Sequence, residues 1–338
     1  MLHPVSSAAS PFATPAQPLQ AGAGQYALRW LPEPALPPLP LAGELYLYQR
    51  PAQLLAARGP EQVVLVAALE HQAQTVGWWP IHLGPDGTAR SPAAAPFGGP
   101  QLLGSEVPAA VLDEWLRRVH EALAAQAVTS LTVRLPPFAH EPRTSGALVA
   151  ALQRAGYQIS QAEINTHLPL DRTYEAHLAP SERRRLHKCQ RHGFQVEQEP
   201  PLLLPLAYEF LRRCREEKGQ ALSLTEEQLT GLFRQFPRDY LLFSVRDAAG
   251  EWAALTVAVL AGRGTLYNFY PASPLRYNAF SPVVLLNAGL HAFGQASGLR
   301  LLDLGTSTLP TGLNESLLRF KRHLGGVSSL KLTLEKKL

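Results

Sequence analysis

Residues 240–270 read YLLFSVRDAAGEWAALTVAVLAGRGTLYNFY. Three runs rich in aliphatic, β-branched and aromatic residues, 240–246, 252–260 and 265–270, are separated by Asp247-Ala-Ala-Gly250 and by Gly262-Arg-Gly264. Short polar, glycine-bearing spacers between such runs predict hairpin turns, and hence three strands of an antiparallel meander. Downstream, 282–295 is apolar nearly all round, the pattern of a buried helix. A strand over 299–304, a helix over 314–324 ended by Gly325-Gly326 and a strand over 327–334 follow. Upstream, the spacing predicts helices over 181–192, capped by Ser181 and ended at Gly193, and over 204–218. A third, running to Phe236, opens on Ser223 with Glu226, a capping-box signature.

The preceding half repeats this order. Short strands are expected at 45–48, 63–69 and 75–83, the last ended by the Pro85-Asp86-Gly87 turn. Over 108–125, Val111, Leu112, Trp115, Leu116, Val119 and Leu123 recur at helical spacing. A strand over 130–135, stopped by Pro136-Pro137, leads to a helix around 148–155 ended at Gly156 and a strand over 158–170. Residues 107–170 and 280–334 thus match in element order and length, an internal duplication of architecture rather than of residues. Nine prolines among the first 40 residues exclude helix interiors and central strands there. The expected organisation is a flexible Pro/Ala-rich tail over 1–25, one domain over 26–170 and a second over 171–338. The fold class is α/β (α+β), each domain a mixed, mainly antiparallel sheet flanked by helices.

A chain of 338 residues with 46% hydrophobic content can bury two cores. Its longest apolar run, 252–261, is half what a membrane helix needs, and no secretory leader pattern opens the sequence. Cys189 and Cys214 alone suggest neither a disulfide framework nor a cysteine-based zinc site. These features read as a soluble protein of a reducing bacterial cytoplasm. The net charge of +4 is concentrated: Arg183, Arg184, Arg185, Lys188 and Arg191 face Glu182 alone within 182–191, and the rest of the chain sums to zero. A charge so placed is either a binding face for phosphates or carboxylates or a solvated helix face. Arg184, Lys188 and Arg191 are its candidate anion-binding residues.

Three segments carry a family likeness. Residues 182–194, Glu-Arg-Arg-Arg-Leu-His-Lys-Cys-Gln-Arg-His-Gly-Phe, resemble the basic helix that opens the second domain of FemAB-like proteins. Leu302-Asp303-Leu304-Gly305-Thr306-Ser307 is similar to their penultimate strand. Residues 318–326, Leu-Arg-Phe-Lys-Arg-His-Leu-Gly-Gly, are similar to their closing Phe-Lys-x-x-Phe-Gly-Gly motif, with Leu324 where Phe is commoner. The chain therefore resembles the FemAB/FemX-like, tandem branch of the GNAT superfamily, closely over 160–338 and mainly by topology over 40–160.

The resemblance implies an N-acyltransferase that moves an acyl group, often an aminoacyl group from tRNA, to an amine on a small molecule or cell-wall precursor. Acyl-coenzyme A and aminoacyl-tRNA are the two donors it allows, without a metal. Such chemistry is limited by geometry and by the developing oxyanion, so position and charge matter more than a nucleophile. The resemblance places Phe320 and Lys321 by the acceptor and the developing charge. It also places Tyr267, Asn268, Tyr270 and Tyr277, with Ser281 and Ser307, around the cleft as substrate-binding residues; aromatic packing at a strand edge is the other reading of the tyrosines. Asp303 is either a buried carboxylate with a raised pKa, suited to general-base work, or a structural acceptor for backbone amides. Asn287 and His291, one helical turn apart, have no third metal ligand near them. Arg212, Arg213, Arg215 and Lys218 alternate with Glu216 and Glu217 as ordinary helix surface.

One departure is marked. GNAT enzymes cradle the coenzyme A pyrophosphate on a glycine-rich turn at the start of the buried helix. Here that stretch is Arg276-Tyr-Asn-Ala-Phe-Ser-Pro282, without a glycine, and the close backbone approach is lost. The first half offers Pro96-Phe97-Gly98-Gly99-Pro100, with glycines but no basic residue. A second function is therefore carried beside the first: a catalytically decayed module whose helix 181–192 holds RNA, a nucleotide-linked precursor or another protein. No heptad pattern marks a coiled-coil arm in either half.

Overall fold

The computed structural model describes residues 15–35, 37–56, 63–104, 106–309 and 312–338. By contact, the chain divides into two compact units, the described residues of Met1–Ala162 with Lys331–Leu338, and Glu163–Leu330. The division falls inside a strand rather than at 170/171.

The first unit opens with β1 (Gln17–Pro18) and β2 (Tyr26–Leu31), followed by α1 (Pro51–Ala56), β3 (Val63–His71), β4 (Gln74–Leu83), β5 (Thr88–Ser91) and β6 (Gln101–Leu102). Then come α2 (Ala109–Ala124), β7 (Ser130–Arg134), α3 (Pro142–Arg154) and β8 (Gln158–Pro169), whose last residues belong to the second unit. β3 is buried on both faces. Leu65, Ala67 and Leu69 meet Trp79, Trp115 and the apolar stripe of α2, while Val66 and Ala68 pack with Leu45, Trp78 and Leu103. Continuous apolar runs such as β3 belong to strands covered on both sides, and each buried Val or Leu in it contributes roughly 1.5–3 kcal/mol.

The second unit continues with α4 (Tyr174–His177), α5 (Pro180–Arg191), β9 (Gln195–Glu199), α6 (Leu204–Glu216) and α7 (Glu226–Gln235). After them come β10 (Tyr240–Arg246), β11 (Trp252–Gly262), β12 (Thr265–Asn268), α8 (Val283–Ala296), β13 (Leu301–Thr306), the hairpin β14 (Thr308–Leu309) and β15 (Gly312–Leu313), α9 (Glu315–His323) and β16 (Val327–Lys337). β16 begins in this unit and ends in the first. α8 is the buried helix expected. Its Gly289 and Gly294 lie where a Cβ would stand 2.3 Å from Val196 and 2.7 Å from Leu170, so the absence of side chains lets β9 and the end of β8 close on it.

Each unit holds a mixed, mainly antiparallel sheet flanked by helices. In the first unit the order is β1-β2-β3-β4-β5-β7-β16-β8, with β6 on β4, and β5–β7 runs parallel. In the second it is β8-β13-β12-β11-β10-β9, with β12–β13 parallel. The parallel pair in each is bridged by a helix, α2 or α8, as a parallel connection requires. The duplicated unit is therefore strand, helix, parallel strand, helix, strand.

Several expectations are corrected. Residues 15–25 are not a tail: β1 pairs with β2, Leu19 is fully buried, and the Gln20 and Ala21 amides donate to Glu114. Of the expected tail, 1–14 lie outside the described residues. Residues 45–48 form no strand but lead into a 3-10 turn, Leu47–Gln49, and then α1. α5 starts at Pro180 after Ala179, and the Ser181 hydroxyl donates to Glu182 instead of capping. The capping box of α7 is Thr225 with Gln228.

Candidate functional site

The second unit places its chemistry where β13 breaks register. β13 pairs in parallel with β12, Tyr267 opposite Asp303, and antiparallel with β8, with an irregularity between Asp303 and Thr306. Gly305 has φ +74 there, a conformation glycine adopts without strain. A bulge leaves backbone groups without ladder partners, and two buried side chains take them up. Asp303 Oδ1 accepts the Gly305 amide at 2.7 Å and Asn165 Nδ2 at 2.8 Å. Lys321 Nζ donates to the Gly305 and Thr306 carbonyls, both at 2.8 Å. Those contacts of Asp303 are those of a structural acceptor.

Lys321 is 6% exposed. Burial pushes its pKa down to about 8, while the nearby Asp303 charge opposes the shift. The ammonium thus remains mainly protonated at neutral pH, with two of its three N–H groups committed to carbonyls. Burial likewise raises the Tyr267 phenol, and Asp303 and Tyr270 add to the shift. Tyr267 packs over Gly305, where a Cβ would stand 3.4 Å from its ring. The Ser307 hydroxyl is fully buried and has no partner among the described residues, although its amide donates to the Ile164 carbonyl. Thr166, on the same strand as Ile164, holds a second buried hydroxyl of this kind.

Lys321 reaches this spot because of how α9 ends. Asn314 Oδ1 caps its start by accepting the Leu317 amide at 3.0 Å. At its end a Cβ on Gly325 would stand 2.3 Å from the His177 carbonyl, and one on Gly326 2.4 Å from Thr166 and 2.7 Å from the Lys321 carbonyl. Only a glycine pair permits that approach, the physical content of the closing motif. Phe320 is half-buried against the second core, on the helix that carries Lys321.

The other candidates separate. Asn268 is buried in a chain of side-chain bonds: it accepts from Thr256 at 2.6 Å and donates to Asn287 at 3.1 Å, which in turn donates to the Val283 carbonyl. It belongs to the core rather than to a cleft wall. Tyr270 shares a hydrogen bond with Ser223 and stacks on Phe269. Tyr277 donates to Asp247 at 2.6 Å, and Ser281 sits half-buried at φ +55 before α8. Asn165, which the sequence reading missed, carries no motif signal. Arg215, which it set aside as helix surface, lies within electrostatic reach of Tyr267 and Tyr270.

The basic helix α5 is largely spoken for. Arg183 donates to the Glu175 carbonyl at 3.0 Å, and Arg185 pairs with the buried Glu182 at 2.9 Å. Lys188 donates to the Ala279 carbonyl at 2.9 Å with its ammonium over the Phe280 ring, and Cys189 donates to the Phe280 carbonyl. α5 therefore ties down the stretch before α8 through the Ala279 and Phe280 carbonyls, and that stretch has no glycine to shape a pyrophosphate cradle. Arg184 and Arg191 are exposed, with no hydrogen bond or ion pair among the described residues. In the first unit Gly98 and Gly99 are also closed: a Cβ would meet Pro92 at 2.9 Å from one and Val133 and Leu135 at 2.8 Å from the other. Both cysteines are buried, and burial raises each thiol to about 11, so neither is a thiolate at neutral pH. Among the described residues no three His, Cys, Asp or Glu side chains gather as metal ligands, and no helix is long and apolar enough to cross a membrane.

No protein-family model matches the chain, and no curated protein matches it in sequence. Solved structures do. FemX superposes with a TM-score of 0.69 at 12% identity, over 86% of this chain and 92% of that one. A tandem GNAT protein from the clavulanic acid biosynthesis pathway gives 0.51 at 13%, over 92% and 98%. L-PGS from Bacillus licheniformis gives 0.50 at 13%, over 75% and 80%. The chain has the tandem GNAT, FemAB-like fold.

Proposed function

We propose that this tandem GNAT-fold chain is an N-acyltransferase whose reaction centre lies at the end of β13 in the second unit. The observation that carries the reading is the Lys321 ammonium, buried on the Gly305 and Thr306 carbonyls beside Asp303. In acyl transfer an amine nitrogen attacks an acyl carbonyl, the C–N bond forms, the bond to the leaving oxygen or sulfur breaks, and the proton lost by the amine ends on that leaving atom. Negative charge gathers on the carbonyl oxygen. A cation already fixed in a low-dielectric setting stabilises that charge without reorganising. Lys321 has one N–H not taken by the two carbonyls, and the Ser307 hydroxyl is a second donor two residues beyond Gly305. Tyr267 and Tyr270, with Arg215 within reach, are proposed to hold the substrates, and Asp303 to fix the bulge. We further propose a small-molecule or precursor amine as acceptor and a cytoplasmic setting.

The stretch before α8 has no glycine, and the loss of the close backbone approach that a pyrophosphate cradle uses favours an aminoacyl-tRNA donor over coenzyme A. The exposed Arg184 and Arg191 suit a polyphosphate such as tRNA, and they equally suit the second reading, a module that binds an anionic partner without turning it over. Incubation of the full chain with labelled aminoacyl-tRNA or acetyl-coenzyme A and a panel of amines tests the choice. Transfer of label to an amine supports the enzyme reading; tRNA binding with no transfer to any amine supports the second.

A further inference from the structure

The first unit carries a polar site of its own, unrelated to the centre at β13. A cavity of about 430 Å³ opens on the face of its sheet opposite the core, where β5, β7, β16 and β8 lie side by side. Register puts its residues on one face: Arg90 is opposite Thr132, Thr132 is opposite Glu335, and Arg134 is opposite Thr333. The alternate residues Leu131, Val133, Leu332 and Leu334 point into the core. Arg90 and Arg134 are one strand apart and two residues displaced, roughly 8 Å between Cα atoms from the strand spacing and rise. Both are exposed, and neither guanidinium makes a hydrogen bond or ion pair among the described residues. Thr333 is 7% exposed, and its hydroxyl lines the same cavity without a partner. Ser160, beside it, donates to the Thr333 carbonyl.

Two guanidinium forks with hydroxyls between them form a donor set, Arg90 also lying within electrostatic reach of Asp86, and a buried hydroxyl without a partner is costly unless something fills the space. We propose that this cavity binds a phosphate-bearing small molecule, with Arg90 and Arg134 gripping the phosphate and Thr333 completing its coordination. A phosphate has three terminal oxygens and up to two charges to meet that set, whereas a carboxylate offers two oxygens and one charge. Glu335, on the same floor, repels the anion and is placed to accept from a hydroxyl or amine of the ligand's remainder.

The test uses the full chain and inorganic phosphate, with acetate and chloride at matched ionic strength. The melting temperature is expected to rise with phosphate beyond the other two salts, because a ligand of the native state stabilises by mass action. In Arg90→Gln/Arg134→Gln that extra rise is lost, in Glu335→Gln it grows, and in Arg184→Gln/Arg191→Gln on α5 it persists. Line broadening of the phosphate ³¹P signal by wild type, lost in the Arg134→Gln single variant, gives the same reading without recourse to melting. An equal rise in the double Arg90/Arg134 variant, no rise in wild type, or an acetate effect as large as that of phosphate would overturn the proposal.

Discussion

At the scale of single residues, Lys321 holds the Gly305 and Thr306 carbonyls and is proposed to face the developing charge. Its ammonium costs free energy to bury, and two carbonyls offset part of that cost. Because its folded pKa, about 8, lies below the usual value of 10.5, the unfolded chain binds more protons between those limits. Stability from this group therefore rises as pH goes from about 8 towards 10.5, and below 8 the burial cost is fully present, a difference on the order of 3 kcal/mol. Denaturant titrations from pH 7 to 10 are expected to show the rise in wild type and a flatter profile in Lys321→Met. An equal slope in both would show that Lys321 does not titrate in that window. The resemblance pointed to Lys321 and Asp303 as candidates without showing that the Lys321 side chain is buried on two carbonyls; its removal leaves those carbonyls unpaired and is expected to lower stability as well as turnover. Asn165 and Arg215 were not legible, because nothing local distinguishes an asparagine that crosses to the next strand or an arginine aimed at a tyrosine from ordinary surface residues.

At the scale of elements, the ends of helices do most to position the site. Gly326→Ala would drive a methyl into the Lys321 carbonyl and Thr166, and overpacking against backbone costs roughly 1–3 kcal/mol. A lowered melting temperature is expected, with a larger loss of turnover than a remote substitution of equal cost produces, because the end of α9 sets where Lys321 stands. Gly146→Ala, in the solvent-facing part of α3 where a Cβ meets nothing within 4 Å, is the contrasting control. In α7, Thr225→Ala removes one half of the capping box and should cost about 1 kcal/mol in chemical denaturation. A cost near zero there, with Ser223→Ala costing more, would restore the cap inferred from sequence. Helix interiors were legible from their apolar spacing, while caps were not: Ser223 and Thr225 are chemically equivalent candidates for α7 until Ser223 bonds Tyr270, and the Ser181 hydroxyl turns to its own neighbour Glu182.

At the scale of the whole molecule, the repeated order of elements was readable because strand and helix periods are properties of short windows. The exchange of the last strand was not. β16 starts in the second unit, and its Leu332 and Leu334 end in the core of the first, which no local pattern encodes. Deleting Lys331–Leu338 is accordingly expected to destabilise the first unit, as two buried leucines lost from a core cost roughly 2–5 kcal/mol each. Loss of amide-exchange protection in β7, the partner of β16, would report it; unchanged protection there would contradict the assignment of that strand. Acyl transfer at the end of β13, as proposed, is decided by measuring transfer of labelled aminoacyl or acetyl groups to an amine by wild type beside Lys321→Met, at a temperature where both are folded. Loss of a preorganised cation worth about 2–4 kcal/mol to the transition state lowers turnover by roughly 30- to 900-fold, the result expected here. Transfer by wild type with near-equal turnover in Lys321→Met would contradict it.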